Sequence, residues 1–214
     1  MLFRSQATPI PSGSAAGSLQ AVSCVSATSC TAVGYAYGYA DGTSTPGTLL
    51  VEHWNGRTWA VQDAPNPYKP GPRASSTLTG VSCTSARSCI AVGYFDPPSG
   101  PTDVSTRLLA EHWNGRTWAV QDAPLPAGTN KDMFNAVSCH SATACTATGF
   151  AGPNDSSATS TVAEFWNGRT WTIARTPNPA GSPSNLLTGV SCVSSTACSA
   201  VGSSSNDGTL AEHS

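Results

Sequence analysis

Apolar positions along this chain come in short runs, and the runs return with a period. In the second copy of the pattern they fall at about Leu78–Cys83, Cys89–Tyr94, Leu108–Trp113 and Thr117–Ala123. These runs are rich in Val, Thr, Trp and Tyr and are bounded by Gly, Pro, Asn or Ser, which is how strands read. None has the length or the 3.6-residue spacing of a helix. The words LQAVSCVSATSCTAVG, LTGVSCTSARSCIAVG, FNAVSCHSATACTATG and LTGVSCVSSTACSAVG are four versions of the first half of the unit, and their first cysteines lie 59, 56 and 53 residues apart. The second half reads LLVEHWNG, LLAEHWNG, TVAEFWNG and TLAEHS. Four strands in a repeat of this length predict a β-propeller blade. The expected fold is therefore all-β, a single domain of four four-stranded antiparallel blades. They cover approximately residues 19–65, 78–124, 134–177, and 187–214 together with 1–9.

The hexapeptide WNGRTW occurs at 54–59, 113–118 and 166–171. Asn-Gly is a strong signal for a two-residue hairpin turn. Such a turn would set Trp54 opposite Arg57, His53 opposite Thr58 and Glu52 opposite Trp59, with Glu52, Trp54, Arg57 and Trp59 on one face. Two indoles per hairpin then form the wedge between blades, since buried aromatics dominate core energetics. Carbohydrate stacking by these indoles is the rival reading.

The missing fourth copy of the hexapeptide points to how the ring would close. Trp59 to Pro65, Trp118 to Pro124 and Trp171 to Pro177 share one spacing, and Phe3 to Pro9 has it too. At the other end Glu212, His213 and Ser214 match Glu52, His53 and Trp54. Residues 1–9 are thus expected antiparallel to about 208–213, closing the ring without an unpaired edge. On this reading the protein is a monomer; exchange of the same strand between chains would make a dimer.

Eight cysteines fall into four equally spaced pairs, Cys24/Cys30, Cys83/Cys89, Cys139/Cys145 and Cys192/Cys198. In register, the two members of a pair face each other across the first two strands, close enough for a disulfide. Buried free thiols and a metal site are the alternatives. The spacing is not that of a zinc site, and only His140 sits near a pair; no metal and no cofactor is expected. Disulfides imply an oxidising, extracellular setting. The N-terminal MLFRSQATPIP has no apolar signal region, so an export signal is expected to have been removed. Charged residues make up only 10% of the chain and the net charge is −2, which excludes a basic field for nucleic acid. No apolar run is long enough for a membrane span.

The pattern VSC-x5-C-x-AVG followed by AE-x-WNG-x-T-W resembles the secreted WNG-repeat proteins of actinobacteria, which are similar in turn to BNR/Asp-box propellers and to propellers like the photosystem assembly factors. The resemblance spans nearly the whole chain. It implies the propeller fold and secretion, and no particular activity. Gly56-Arg57-Thr58-Trp59 fits the second half of an Asp-box, S-x-D-x-G-x-T-W, while Trp54 stands where that box has its Asp.

Glu52, Glu111, Glu164 and Glu212 recur once per blade. A glycosidase needs a unique carboxylate pair, so this set is expected to be structural, bonded to a neighbouring blade or to Arg57, Arg116 and Arg169. Long loops that differ between blades lie on the opposite face from the uniform tight turns, and such loops carry recognition. The candidate ligand residues are Tyr35, Tyr37, Tyr39, Asp41, Tyr68, Tyr94 and Asp96, with Lys69, Phe95, Asp103, Lys131, Asp132, Asn154 and Asp155 nearby in the same loops. The expected function is a non-catalytic extracellular binding or scaffold module for a glycan or a protein. The alternatives are a sialidase-like hydrolase, for which the loop face offers only Arg73 and Arg107 as arginines, and a structural, oligomer-forming repeat.

Overall fold

The computed structural model describes residues 5–40, 43–44, 47–68, 75–97, 105–153, 156–206 and 208–214; of 39–40 and 43–44 it describes the backbone. Its first repeat holds β1 (Ala16–Ser26), β2 (Ser29–Tyr37), the short ribbon β3 (Tyr39–Ala40) and β4 (Thr43–Ser44), β5 (Thr48–Trp54) and β6 (Trp59–Gln62). The second holds β7 (Ser76–Ser85), β8 (Ser88–Phe95), β9 (Arg107–Trp113) and β10 (Trp118–Gln121). The third holds β11 (Lys131–Ser141), β12 (Ala144–Gly152), β13 (Ser160–Trp166) and β14 (Trp171–Ala174), and the fourth β15 (Asn185–Ser194), β16 (Ala197–Ser204) and β17 (Gly208–His213). Three repeats form four-stranded antiparallel sheets and the fourth a three-stranded one, each in chain order once the ribbon is set aside. Among the described residues no helix is long and apolar enough to cross a membrane.

Each sheet packs its strands against the next, β1 on β7, β7 on β11 and β11 on β15. Strand alternation gives every sheet two apolar faces. In the second sheet Cys89, Ala91, Leu109 and Trp118 face the first sheet, with Val33, Val51 and Leu78 in the same cluster. Ile90, Val92, Leu108 and Ala110 face the third sheet and pack with Phe134, Cys145, Ala147, Trp166 and Trp171. The glycine of each A-[VT]-G run sits where the backbone of the first strand crosses close by. A Cβ on Gly34, Gly93, Gly149 or Gly202 would strike the carbonyl oxygen of Ser18, Thr77, Met133 or Leu186.

All four cysteine pairs are disulfides, and none of the cysteines is free. Cys24 lies opposite Cys30, and the other three pairs are in the same register. Four residues before its cysteine, every first strand carries a one-residue bulge at the same place: Leu19/Ala21, Leu78/Gly80, Phe134/Ala136 and Leu187/Gly189.

The WNGRTW hairpin differs from the two-residue turn that Asn-Gly suggests. Trp54 pairs with Trp59, His53 with Ala60 and Glu52 with Val61, so four residues make the loop. The cause is the Asn55 side chain. Its Oδ1 accepts from the backbone N–H of both Arg57 and Thr58 at 2.9 Å, while Asn55 N–H donates to Thr58 O. This side-chain turn replaces a backbone one, and Gly56, at φ 90°, supplies the left-handed step. The two indoles end up directly opposite, 5.7 Å apart between Trp54 and Trp59. Trp54, Trp113 and Trp166 also donate Nε1–H to Ala27 O, Ala86 O and Ala142 O in the cysteine turn of their own repeat, at 3.1–3.2 Å.

The expected pairing of the chain's two ends is not formed over the described residues. Residues 5–9 form no strand, and β17 pairs with β16 alone; Met1 and Phe3 lie outside the described residues. The N-terminal segment instead covers the outer face of the first sheet. Thr8 lies beside Glu52 without completing a hydrogen bond of normal geometry, and Ile10 meets the Gly17 site next to Leu50. Leu50 and Glu52 would otherwise be open to water on that face, and both are fully buried. Among the described residues no substantial packing joins the first sheet to the fourth.

Candidate functional site

The tight-turn side is uniform over the first three sheets, as the repeated Asn-Gly loops dictate. The opposite side carries the residues that differ. There Tyr68, 46% exposed, leans on Phe95 with ring centroids 5.4 Å apart. The pair opens into a cavity of about 500 Å3, lined also by Arg107, Gln121, Asp122 and Leu125. Phe95 ends β8, Arg107 begins β9, and Gln121 ends β10, so the second sheet supplies the floor and the link from the first sheet supplies Tyr68.

Arg107 has a buried carboxyl beneath it. Its Nη1 lies 3.8 Å from Oδ2 of Asp132, whose side chain is completely buried in the first strand of the third sheet. Burial pushes the Asp132 carboxyl above the usual range, against the opposing influence of Thr129, the Arg107 charge and the Gly152 backbone. The sequence offered Arg107 and Asp132 as separate loop residues. Their meeting depends on the parallel bridge of Thr106 with Lys131, which brings the start of β9 against the start of β11.

The other candidates divide. Tyr35 and Tyr37 stack on β2, ring centroids 6.2 Å apart and 26° from parallel. Tyr39 contributes backbone to β3, while its side chain and Asp41 lie outside the described residues, as do Lys69, Arg73, Asp103, Asn154 and Asp155. Asp96 is already engaged, accepting a hydrogen bond from the Ser75 hydroxyl. Tyr94 adjoins Phe95 in β8 and therefore points to the opposite face, toward the third sheet and away from Tyr68. The loop residues thus form an aromatic pair on the first sheet and an aromatic–cationic cavity on the second.

Two of the repeated glutamates, Glu111 and Glu164, are sealed between sheets, and Glu52 is sealed under the N-terminal segment. Glu52, Glu111 and Glu164 are fully buried and none of their carboxyl oxygens has a hydrogen-bond partner. The expected pairing with Arg57, Arg116 and Arg169 is not made, because those arginines sit in the exposed four-residue loops. Burial pushes the Glu111 carboxyl up to about 8, and Glu164 likewise to about 8 with the Asp122 charge adding to the shift. At neutral pH both are mainly protonated. Glu212, only partly buried, is raised by burial and accepts from Thr161 Oγ1 at 3.1 Å. Of the repeated histidines, His112 packs against Trp166, and burial lowers its pKa.

A further cavity, about 440 Å3, lies between the third and fourth sheets and is lined by Phe165, Ile173, Arg175, Glu212 and Ser214. In the second and third sheets the corresponding space is filled by the Trp113–Trp118 and Trp166–Trp171 pairs. Among the described residues no group of three or more His, Cys, Asp and Glu could hold a metal ion. Four disulfides are compatible with an extracellular protein. The chain matches no protein-family model, and no curated protein is significantly similar to it.

Proposed function

We propose that the four sheets are blades of a β-propeller and that the protein is a non-catalytic extracellular binding module. It takes a glycan at the Tyr68–Phe95 cavity on the long-loop side. The observation that carries this reading is a half-exposed aromatic pair at the mouth of a cavity that also presents Arg107, Gln121 and Asp122. A sugar ring offers apolar C–H faces to aromatic rings and hydroxyls to fixed donors and acceptors, and a few polar groups around an apolar floor match the make-up of ligand sites. The carboxyl of fully buried Asp132, 3.8 Å from Arg107 Nη1, favours one position of the guanidinium before a ligand arrives, which lowers the entropy cost of binding. The sealed position of Glu52, Glu111 and Glu164 keeps the repeated carboxyls from a substrate and argues against the hydrolase reading.

The test is a glycan array with the purified protein and with Tyr68→Ala. Binding that falls at least tenfold in the variant, with an unchanged melting temperature, supports the site. Binding that survives Tyr68→Ala but is lost in Tyr35→Ala/Tyr37→Ala moves it to the first sheet. Absence of glycan binding together with retention of a protein ligand by the same cavity would replace the glycan with a peptide.

A further inference from the structure

One interface is built three times in this chain, and its two unmatched halves lie on the outer faces of the first and fourth sheets. Val33, Val92 and Thr148 occupy one position of the repeat and are 0%, 0% and 1% exposed; Val201, at the same position in the fourth sheet, is 54% exposed. Leu78, Phe134 and Leu187 share a second position and are each 0% exposed, whereas Leu19 is 38% exposed. The two positions meet across the interfaces, Val33 with Leu78 and Val92 with Phe134.

The hydrogen bonds between sheets repeat in the same way. Cys83, Cys139 and Cys192 donate their backbone N–H to Oγ of Ser23, Ser82 and Ser138 in the preceding sheet, at 3.0, 2.9 and 3.0 Å. The bulge residues Thr79 and Asn135 donate through their side chains to Phe134 O and Leu187 O in the following sheet, both at 2.7 Å. In the fourth sheet Ser191 and Thr188 hold these positions with no sheet packed beyond them among the described residues, and in the first sheet Cys24 N–H and Leu19 O hold the complementary ones.

We propose that a second copy of this chain lays the outer face of its first sheet on the outer face of the fourth sheet. In that contact Leu19 of one copy meets Val201 of the other. Cys24 N–H donates to Ser191 Oγ, and Thr188 Oγ1 donates to Leu19 O. Two such contacts related by a twofold axis close eight sheets into a ring, the closed outcome of a head-to-tail interface. The partner is named by continuity: the docked surface is the fourth instance of an interface already present three times, and among the described residues one chain does not pack its own two halves together. The N-terminal segment travels with the first sheet it covers. It comes to lie by the open edge of β17 and by the 440 Å3 cavity, where the fourth sheet lacks an indole pair.

Light scattering and sedimentation equilibrium of the 214-residue chain over a wide concentration range test this. The expected mass is twice 21.8 kDa, about 44 kDa. Val201→Asp and Leu19→Asp should each shift the mass to that of one chain while leaving the β-type circular dichroism intact, since both side chains are exposed within a single chain. A wild-type mass of 21.8 kDa at every concentration overturns the proposal. So does a dimer that neither substitution dissociates, and so does growth beyond two copies.

Discussion

Replacing Glu111 by Gln should change how stability depends on pH. Glu111 is sealed between the first and second sheets with no partner for either oxygen, and burial raises its pKa from 4.5 to about 8. The unfolded chain releases this proton near pH 4.5 and the folded protein holds it to about pH 8. Across that window the folded state binds more protons than the unfolded one, so stability falls as pH rises. It is fully present below pH 4.5, and the loss is complete once pH has passed through the folded value. At 1.36 kcal/mol per unit the shift corresponds to about 5 kcal/mol in all, with about 3 kcal/mol gone by pH 7. Gln has nearly the same volume and does not ionise. Its unpaired amide imposes a constant penalty of about 1–3 kcal/mol at all pH values. Urea unfolding from pH 4.5 to 8.5 should therefore give two curves that converge or cross: wild type the more stable in acid, Glu111→Gln losing less on the way up. Parallel curves would refute the buried, protonated carboxyl.

Glu164→Gln should flatten the same pH profile independently, because Glu164 is sealed at the next interface and titrates in the same range; thermal melts of the single and double variants check additivity. Trp118→Ala removes a buried indole and its Nε1–H bond to Gln62 Oε1 at 2.9 Å, and should cost about 3–5 kcal/mol in denaturant unfolding. Gly93→Ala should destabilise by about 3 kcal/mol, seen as a lower melting temperature, because the added methyl meets the Thr77 carbonyl with no room to relax. Reduction of the four disulfides should lower stability by about 2 kcal/mol for each small loop, and thiol titration of the unfolded, unreduced protein should find no free SH.

Much of the architecture could be read from periodicity. Four alternating runs per repeat are local signals, and the facing cysteines fix the register of the first two strands. Two features were not local. The loop of WNGRTW turned on the Asn55 side chain taking two backbone amides, a choice that the letters Asn-Gly leave open between a two- and a four-residue turn. The fate of the ends turned on whether Thr8 and Ile10 gain more by covering Leu50 and Glu52 than by pairing with β17, a balance of tertiary contacts. The candidate site shows the same division. Tyr68 stood out as an exposed aromatic in a variable link. Gln121 and Asp122 were hidden inside the repeated WAVQDAP, and Arg107 and Asp132 were visible singly but not as a pair. Recurrence marked the glutamates as structural, yet the absence of a partner at Glu111 and Glu164 follows only from the packed interface.

Each disulfide closes a span of six residues inside one hairpin, and this bears on how the chain finds its native oxidation pattern. Eight thiols can pair in 105 ways. The nearest wrong partner for a cysteine in the next repeat is far along the chain: even the closest such pair, Cys145 and Cys192, is 47 residues apart. Loop-closure entropy then favours the native pair by about 2 kcal/mol, roughly 20-fold, before any sheet has packed. Pairing is decided hairpin by hairpin, in whatever order the hairpins are made, and later stacking of the sheets has no crossed bridges to undo.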